Sequence, residues 1–554
     1  MWKLIARRSC VVRNFAFPDL DRNMSTKVVN VSYGSLKGLE KISKYDGTKY
    51  LSFQGIPYAK PPIGNLRFKA PQDLEPWEGI KDALEEGNRA PHYDMVSKNY
   101  TGDEDCLYLN VYVPQESTSP GSPLPVMVWF HGGGFAYGHA DSDVYGPEFL
   151  MKKNVILVTV NYRLGILGFL NLETEDASGN MGLKDQTVSI KWVKKEIGHF
   201  GGDSNNITLF GESAGGSSVH FHMMSPLSKG LFHKSIIMSG SALCNWAFTK
   251  NHLQRAFDLG KLLGCETKDK DELLKFLHTV PPKTFAGTQD KVMSQEEHVT
   301  GTDQAFVPTV DGEFLLEEPW ETLKKGNVYD VPTIVGTVSH EGFLMYNSIA
   351  KWSWFVDTLN KGLEVVSPYP LPRTSQVSEG IRKLYFQNDK TVDFTKHNEE
   401  FVQLYSHTLM LLPIVISMKY ELNQTSRKSP LYFYRFSYDG NLGWFKKLLI
   451  GQRKLSIPKG VCHVDELGYL LSNDLVDHKA VATEEDKQIV DKLTTMWTNF
   501  AQTGNPNSVG SEQYHWNPVE SFEEGNYLEI ASPTSIQMKT HLDKDKMDFW
   551  LSKL

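Results

Sequence analysis

The sequence predicts an α/β fold: a large, mostly parallel sheet that is doubly wound by helices, with helical insertions that form a cap. Short runs rich in Val, Ile and Thr recur in the first two thirds of the chain, and each ends in a loop. Such nearly continuous apolar strands are typical of a parallel sheet covered on both faces. The predicted strands lie in residues 125–135, 154–163, 206–215, 234–241 and 331–342.

A helical pattern separates two of these predicted strands. In residues 183–200, the apolar side chains of Ile190, Val193 and Ile197 recur at the spacing of one helix face. Strands that alternate with helices in this way predict a doubly wound sheet.

The flanking segments have other patterns. Residues 28–112 contain strand-like runs that predict antiparallel strands leading into the sheet. Residues 343–430 are more helical and irregular and predict a cap above the strand ends, and residues 430–439 predict a late strand. We expect a single domain over residues 28–550, an N-terminal extension over 1–27 and a C-terminal tail over 551–554.

Charge and hydropathy exclude two classes of partner. The 554-residue chain has 58 Lys and Arg against 66 Asp and Glu, a formal net charge of −8, with both signs interspersed. A nucleic-acid surface needs clustered basic residues, so we expect no nucleic acid as partner. No apolar run reaches about 18 residues, so we expect no membrane span.

Cysteine usage favours a reducing compartment. The five cysteines leave at least one unpaired and form no Cys-x-x-Cys motif: they are Cys10, Cys106, Cys244, Cys265 and Cys462. Sparse, odd-numbered cysteines are more typical of intracellular chains than of secreted ones.

The two ends of the chain suggest different organelles. Residues 1–17 are rich in arginine and contain no acidic residue, which is the composition of a mitochondrial transit peptide. A disordered extension, or a start at Met24, explains the same composition. Ser552, Lys553 and Leu554 form a C-terminal S-K-L, a peroxisomal address. The sequence leaves peroxisome, mitochondrion and cytosol open.

Ser213 is the candidate nucleophile. It lies between Gly211 and Gly215 in the motif GESAG, after the strand-like residues 207–210 and before a helix-compatible run. A strand, a sharp turn and a helix in this order form a nucleophile elbow, where glycines let the strand and helix backbones approach. A tight turn with a capping serine is the alternative.

A second glycine motif predicts a site that stabilises negative charge. Residues 131–135, HGGGF, end another predicted strand. Consecutive glycines let backbone N–H groups turn towards a ligand without interference from a Cβ atom. Such a loop forms an oxyanion hole together with the N–H of the residue after the nucleophile, here Ala214.

The acid and the base are expected downstream of the serine, in that order. Glu341 follows the strand-like residues 333–338 and is the candidate acid, whereas His463 lies in a glycine-flanked loop after the late strand and is the candidate base. Their neighbours His340 and Asp465 are the rivals. We expect His340 to point away and Asp465 to anchor its loop.

These motifs resemble those of the type-B carboxylesterase family, the cholinesterase-like branch of the α/β-hydrolases. The resemblance spans residues 28–550 and includes FQGIPYAKPPIGNLRFKAP, EDCLYLNVYVP, MVWFHGGGF, NYRLGILGFL, FGESAGG, MSGSA and HVDEL. In detail the chain is most similar to the intracellular alpha-esterases of insects. The resemblance implies an α/β-hydrolase fold and the hydrolysis of carboxylic esters.

The resemblance also implies roles for individual residues. It assigns Ser213 as the nucleophile, Glu341 as the acid and His463 as the base. The other implied roles are oxyanion donors at Gly133 and Gly134 beside Ala214, a substrate-pocket wall at Trp246 and Phe135, and structural ion pairs of Arg67 with Glu104 and Arg163 with Asp185. For Trp246, a place in the core is the alternative.

Three departures from the family pattern distinguish this chain from particular members of the family. Residues 91–103 lack the tryptophan with which cholinesterases hold a quaternary ammonium, so we expect no choline substrate. Cys106 and Cys265 lack the partner cysteines of the secreted relatives. Juvenile-hormone esterases usually carry GQSAG, whereas this chain has Glu212.

We therefore expect a serine carboxylic-ester hydrolase that forms an acyl-enzyme on small to medium apolar esters, without a metal or an organic cofactor. Such an activity fits detoxification or lipid metabolism. Organophosphates are expected to inhibit it progressively, because Gly134 offers no extra base to regenerate the serine. The alternatives are an acylglycerol lipase with the same mechanism and a low-turnover protein that sequesters esters or organophosphates.

Overall fold

A thirteen-stranded sheet runs through the protein. The computed structural model describes residues 25–115, 121–450, 458–507 and 515–554. Within these ranges the strands are β1 Thr26–Val31, β2 Gly34–Ile42, β3 Lys49–Pro57, β4 Ile80–Asp82, β5 His92–Tyr93, β6 Tyr100–Thr101, β7 Tyr108–Pro114, β8 Leu124–Phe130, β9 Ile156–Val160, β10 Asn171–Thr174, β11 Ala177–Ser178, β12 Gly202–Glu212, β13 Lys234–Met238, β14 Thr333–Val338, β15 Leu431–Phe436, β16 Asn526–Ser532 and β17 Ser535–Thr540.

The helices lie mainly between and after the central strands. They are α1 Gly165–Phe169, α2 Met181–Glu196, α3 Ala214–Met224, α4 His252–Leu262, α5 Lys270–Thr279, α6 Pro282–Thr288, α7 Gln295–Val299, α8 Pro319–Lys325, α9 Phe343–Lys351, α10 Ser353–Lys361, α11 Ser375–Phe386, α12 Asn398–Ser406, α13 Leu412–Leu422, α14 Phe445–Ile450, α15 His478–Val481, α16 Glu484–Thr503 and α17 Lys544–Leu551.

The sheet has a parallel centre and antiparallel edges. Its order is β1-β2-β3-β7-β9-β8-β12-β13-β14-β15-β16-β17, and β4 pairs with β2. The strands from β9 to β16 in this order pair in parallel. The strands β1, β2, β3 and β7 form the predicted antiparallel lead-in, and β17 closes the other edge. Only the short β4 departs from that prediction, because it pairs with β2 in parallel.

Apolar residues cover both faces of the central strands. In β8, Val126, Val128 and Phe130 belong to one buried cluster, whereas Met127 and Trp129 belong to another. Since successive side chains of a strand point to opposite faces, these clusters are the two sides of the sheet. The doubly wound arrangement predicted from the continuous apolar runs is confirmed.

The helical region after β14 forms a packed layer. One continuous helical stretch, Asn398–Leu422, is long and apolar enough by composition to cross a membrane, but 89% of its most apolar window is buried inside the protein. Such burial is how a core helix of a globular protein packs.

The ends of the chain fall close to the predicted boundaries. The first strand begins at Thr26, two residues before the expected domain start, because it pairs with β2 over its whole length. At the other end, α17 continues to Leu551, and the last residue, Leu554, is 44% exposed. The arginine-rich residues 1–17 and Met24 lie outside the described residues. Both organelle assignments stay predictions.

The described cysteines are all free: Cys106, Cys244, Cys265 and Cys462. Both ion pairs implied by the resemblance are confirmed. Arg163 makes two charge-assisted hydrogen bonds to Asp185, at 2.8 and 2.7 Å, and Arg67 holds both oxygens of Glu104.

Close backbone approach explains the glycines of the GESAG motif. A Cβ atom on Gly215 would overlap the carbonyl oxygen of Phe130, at the end of β8, and one on Gly211 would overlap the backbone of Gly215. Helix α3 therefore packs directly on the strands, and only glycine fits where they touch.

We expect Gly215→Ala to lower the free energy of unfolding by at least about 2 kcal/mol, because the added methyl group meets rigid backbone atoms. The matched control is Gly198→Ala, where no atom lies within 4 Å of the added Cβ. Urea unfolding of both variants measures the effect. Equal unfolding free energies for the two variants would contradict the close approach.

Candidate active site

Three neighbouring strand ends form the candidate site. Strands β12, β13 and β14 lie side by side and parallel, so their carboxyl ends meet at the same edge of the sheet. Ser213 directly follows β12, and Glu341 comes three residues after β14. Residues distant in sequence are thus brought together by the register of the sheet.

Ser213 occupies a sharp turn between β12 and α3. Its backbone has φ 58° and ψ −122°, a strained conformation for a residue other than glycine. Two hydrogen bonds hold it there, from Ser213 N to the carbonyl of Met238 at 2.9 Å and from Ser217 N to the carbonyl of Ser213 at 2.8 Å. The side chain is placed at the start of a helix and Ser213 is 9% exposed, as a nucleophile elbow requires.

Glu341 is a fully buried carboxylate with four hydrogen-bond donors. Its Oε2 accepts from His463 Nδ1 at 2.6 Å. Its Oε1 accepts from Ser239 Oγ at 2.6 Å, Thr337 Oγ1 at 2.7 Å and Val338 N at 2.9 Å. Burial alone would raise the pKa of Glu341, but the charge and hydrogen bond of His463 and the other donors outweigh burial and lower it.

A short stretch of backbone pairing places His463 beside Glu341. Residues His340 and Cys462 form a parallel bridge, and His340 N donates to the carbonyl of Val461 at 2.9 Å. The residues that follow, Glu341 and His463, are therefore neighbours. Because the ionised carboxylate accepts at Nδ1, that nitrogen carries the proton and Nε2 is left as the basic atom.

Glu212, the residue before Ser213, is the other carboxyl group at the imidazole. Its Oε1 lies 3.0 Å from His463 Nε2, and both side chains are 2% exposed. Burial and the nearby charges of Glu466 and Glu341 raise the pKa of Glu212 well above its usual value. The environments of Glu212 and Glu341 thus push their pKa values apart, with the pKa of Glu212 raised and that of Glu341 lowered.

Glu466 completes a group of three buried acids. It is 1% exposed, and neither of its carboxyl oxygens accepts a hydrogen bond from another described residue. Burial and the charge of Glu341 raise the pKa of Glu466 well above its usual value. The neutral form is the one that this environment favours.

The glycine loop presents unpaired amides near the serine. Gly133 and Gly134 have φ values of 109° and 60°, and the carbonyl of Gly133 accepts from both Ala136 N and Tyr137 N at 3.0 Å. A Cβ on Gly132 would lie 3.0 Å from the Cβ of Ser213, so this loop passes over the serine. The N–H groups of Gly133, Gly134 and Ala214 donate to no other described residue. These N–H groups are therefore available to donate hydrogen bonds to an anion.

The two rival residues, His340 and Asp465, have the orientations expected from the sequence. His340 bonds to Ser339 Oγ at 2.9 Å and lies 3.2 Å from Glu399 Oε1, away from Glu341. Asp465 accepts from Phe445 N at 2.7 Å and so anchors its loop. Neither group reaches the Glu341–His463 pair.

Two other buried histidines are unsuited to act as bases. Burial lowers the pKa of both His131 and His222 to about 3. His131 stacks on Tyr162 at 4.5 Å, and His222 lies between Gln186 and Ser228 with hydrogen bonds of 3.0 and 2.6 Å. Both therefore serve the packing of the core.

The proposed pocket residues are buried aromatics. The Phe135 ring is fully buried, 5.3 Å from the ring of Phe169 and 6.5 Å from that of Phe221. Trp246 is 5% exposed, and its indole N–H has no acceptor among the described residues. Their contact with a substrate stays a prediction.

One group of described side chains has metal-ligand atoms close together: His139, Asp141 and Asp143, whose atoms lie within 4.8 Å of one another. Arg89 donates to Asp141 at 2.6 Å and to Asp143 at 2.7 Å. The guanidinium already supplies the positive charge that a cation would bring, so the group forms an ion-pair cluster.

Sequence reasoning missed the groups that hold and surround the acid and the base. Ser239 and Thr337 donate to Glu341, and the charge of Glu341 raises the pKa of the buried Glu466. The signal for Ser239 was its position in MSGSA, one residue beyond β13. Thr337 had no signal beyond the expected end of β14, and Glu466 was one of two acids in HVDEL.

Comparisons with known proteins extend over nearly the whole chain. The model of the carboxylesterase family matches residues 25–550. A carboxylic ester hydrolase from Bombus ignitus is 35% identical over 551 residues, covering 96% of this chain and 94% of that protein. A juvenile hormone esterase from Tribolium castaneum is 34% identical over 558 residues, covering 96% of this chain and 92% of that protein.

A solved structure has the same fold. Juvenile hormone esterase from Manduca sexta, with OTFP covalently attached, matches with a TM-score of 0.83 and 28% identity, over 95% of this chain and 99% of that one. The α/β-hydrolase fold expected from the motifs is confirmed.

The buried acid Glu466 predicts a pH dependence of stability. Its pKa is raised on folding, so the folded state binds this proton more tightly than the unfolded state, and stability falls as pH rises above about 4.5. We expect wild type to lose stability relative to Glu466→Gln as pH rises above about 4.5, by at most about 1.4 kcal/mol per pH unit.

Urea unfolding of wild type and Glu466→Gln at several pH values measures this difference. The matched control is Glu379→Gln, at an exposed position on α11. The comparison uses only the slope of the unfolding free energy with pH. Burying the new amide of Glu466→Gln changes the unfolding free energy by an amount that does not vary with pH. Parallel profiles for wild type and Glu466→Gln would show that Glu466 binds its proton no more tightly in the folded state.

Proposed function

The chain belongs to the carboxylesterase family and hydrolyses carboxylic esters; from this premise we propose that it forms an acyl-enzyme on Ser213 and acts on small to medium apolar esters. The observation that carries the proposal is the 2.6 Å hydrogen bond of Glu341 to His463, whose Nε2 faces the residue before the serine. An imidazole oriented by an ionised carboxylate is the base that a weak hydroxyl nucleophile needs.

In the first half-reaction, Ser213 Oγ attacks the ester carbonyl while its proton passes to His463 Nε2. The carbonyl π bond breaks, and the resulting oxyanion accepts hydrogen bonds from the amides of Gly133, Gly134 and Ala214. His463 then gives its proton to the leaving alkoxide as the C–O bond breaks. The products of this half-reaction are the alcohol and the acyl-enzyme.

In the second half-reaction, water takes the place of the alcohol. His463 removes a proton from water as the water oxygen attacks the acyl carbon, and it returns that proton to Ser213 Oγ as the acid leaves. Glu341 stays ionised throughout and stabilises the imidazolium in both steps.

Two further observations favour this route. The Manduca sexta relative carries a covalently attached OTFP, which is consistent with an attacking nucleophile in this fold. The preference for apolar esters rests on Trp246 and Phe135, buried aromatic side chains on the segments that follow β13 and β8.

We expect Ser213→Ala to lose the burst and the steady turnover of p-nitrophenyl butyrate in stopped-flow measurements. Wild type should release a burst of p-nitrophenol equal to the enzyme concentration and then turn over steadily. The matched control is Ser375→Ala, at an exposed serine on α11, which should behave as wild type. Equal activity in wild type and Ser213→Ala would overturn the acyl-enzyme proposal.

The same measurement distinguishes the alternatives. A wild-type burst without turnover favours a protein that sequesters esters. An activity that rises steadily with acyl length, up to long-chain acylglycerols, favours a lipase.

We expect diethyl p-nitrophenyl phosphate to inactivate wild type progressively, with release of one p-nitrophenol per active site and recovery over hours. Gly134 carries no side chain that could activate water towards a phosphorylated Ser213. Residual esterase activity and p-nitrophenol release, followed together, measure the effect. Many rapid turnovers of the phosphotriester contradict it, and Ser213→Ala should release no p-nitrophenol.

A further inference from the structure

The side chain of Gln304 fills the space beside Gly134 that a Cβ atom would take. A Cβ built on Gly134 would lie 2.8 Å from Gln304 Cδ, 2.9 Å from its Oε1 and 3.1 Å from its Nε2. The carboxamide therefore lies against the glycine loop. This is the loop whose unpaired amides form the proposed oxyanion hole.

The Gln304 carboxamide makes no hydrogen bond to any other described residue, and Gln304 is half-buried. Its carbonyl can accept, and its amino group can donate, two hydrogen bonds each. Because Gln304 is half-buried, water can pair with the carboxamide in the free protein, and a substrate oxygen can take the place of that water. The three atoms nearest to a Cβ built on Gly134 all belong to this carboxamide.

The backbone on both sides of Gln304 is held in place. The Asp303 carboxylate bonds to His298 Nδ1 at 2.6 Å. Ala305 N donates to Asp290 Oδ1 at 3.0 Å, and its carbonyl accepts from Arg255 NH1 at 2.9 Å. With both neighbours fixed, the reach of Gln304 is limited to the surroundings of the glycine loop.

We propose that Gln304 is a specificity-determining residue whose Nε2 donates a hydrogen bond to an oxygen of the substrate close to the scissile carbonyl. The inference rests on the proposed function, because Gly134 marks the reacting centre only if its loop binds the oxyanion. The favoured substrates are apolar esters that carry an ether, hydroxyl or carbonyl oxygen within about four bonds of the ester carbonyl carbon. This oxygen belongs either to the acyl half or to the alcohol half.

Two pairs of equally sized esters distinguish the two halves. In the acyl half, p-nitrophenyl methoxyacetate differs from p-nitrophenyl butyrate only by an oxygen in place of a methylene. In the alcohol half, 2-methoxyethyl butyrate differs from n-butyl butyrate in the same way. The ratio of kcat/KM within each pair is compared between wild type and Gln304→Met, so differences in intrinsic reactivity cancel.

We expect Gln304→Met to lower this ratio about tenfold in one of the two pairs, the size of a lost hydrogen bond to a substrate oxygen. The kcat/KM for p-nitrophenyl butyrate should change by less than about threefold, since methionine has the length of glutamine and no donor. The matched control, Gln254→Met on the exposed surface of α4, should leave both ratios unchanged.

Unchanged ratios in Gln304→Met would show that the carboxamide contacts no substrate oxygen. A parallel loss on all four esters would show that Gln304 only supports the loop. Either result overturns this inference while the burst of p-nitrophenol in Gln304→Met still reports on the acyl-enzyme. Failure of the proposed function has a separate signature, which is turnover retained by Ser213→Ala.

Discussion

A carboxylate and an imidazole, 2.6 Å apart and almost fully buried, make the hydrogen bond on which the rest of the site depends. Burying an ionised carboxylate is costly unless its lone pairs are satisfied. Here the donors of Ser239, Thr337 and Val338 come from the ends of β13 and β14. The sheet register therefore does more than place Glu341, because it also keeps Glu341 ionised.

Burial raises the pKa values of two neighbouring acids, Glu212 and Glu466, whereas the pKa of Glu341 is lowered. Glu212 and Glu466 lack such a set of donors, and each feels the charge of Glu341, so their pKa values rise. Had all three been ionised, their mutual repulsion would have opposed the packing of the whole edge. Among the three acids, Glu341 is therefore the one whose pKa is lowered, and its carboxylate faces the imidazolium that forms during the reaction.

The sequence alone was sufficient wherever a signal was local or ordered along the chain. Continuous apolar runs predicted β8, β9 and β12 to β14, since a strand buried on both faces needs them. The glycine motifs pointed to Ser213 because steric requirements at the elbow act between near neighbours. The hydrogen bond of Ser239 to Glu341 and the approach of Gln304 to Gly134 join segments that no short motif relates. Such contacts depend on the tertiary packing, and single residues of ordinary type give no signal for them.

Several unpaired polar groups lie together at this edge of the sheet. The amides of Gly133 and Gly134 and the carboxamide of Gln304 have no partner among the described residues. Buried polar atoms without a partner also occur elsewhere, such as Trp129 Nε1 and Arg427 Nε, so an unpaired group alone does not mark a site. What distinguishes this edge is that the unpaired groups lie at the glycine loop beside the serine. The unpaired donors therefore outline the substrate: a carbonyl oxygen that becomes negative at the glycine loop, and a second oxygen close beside it.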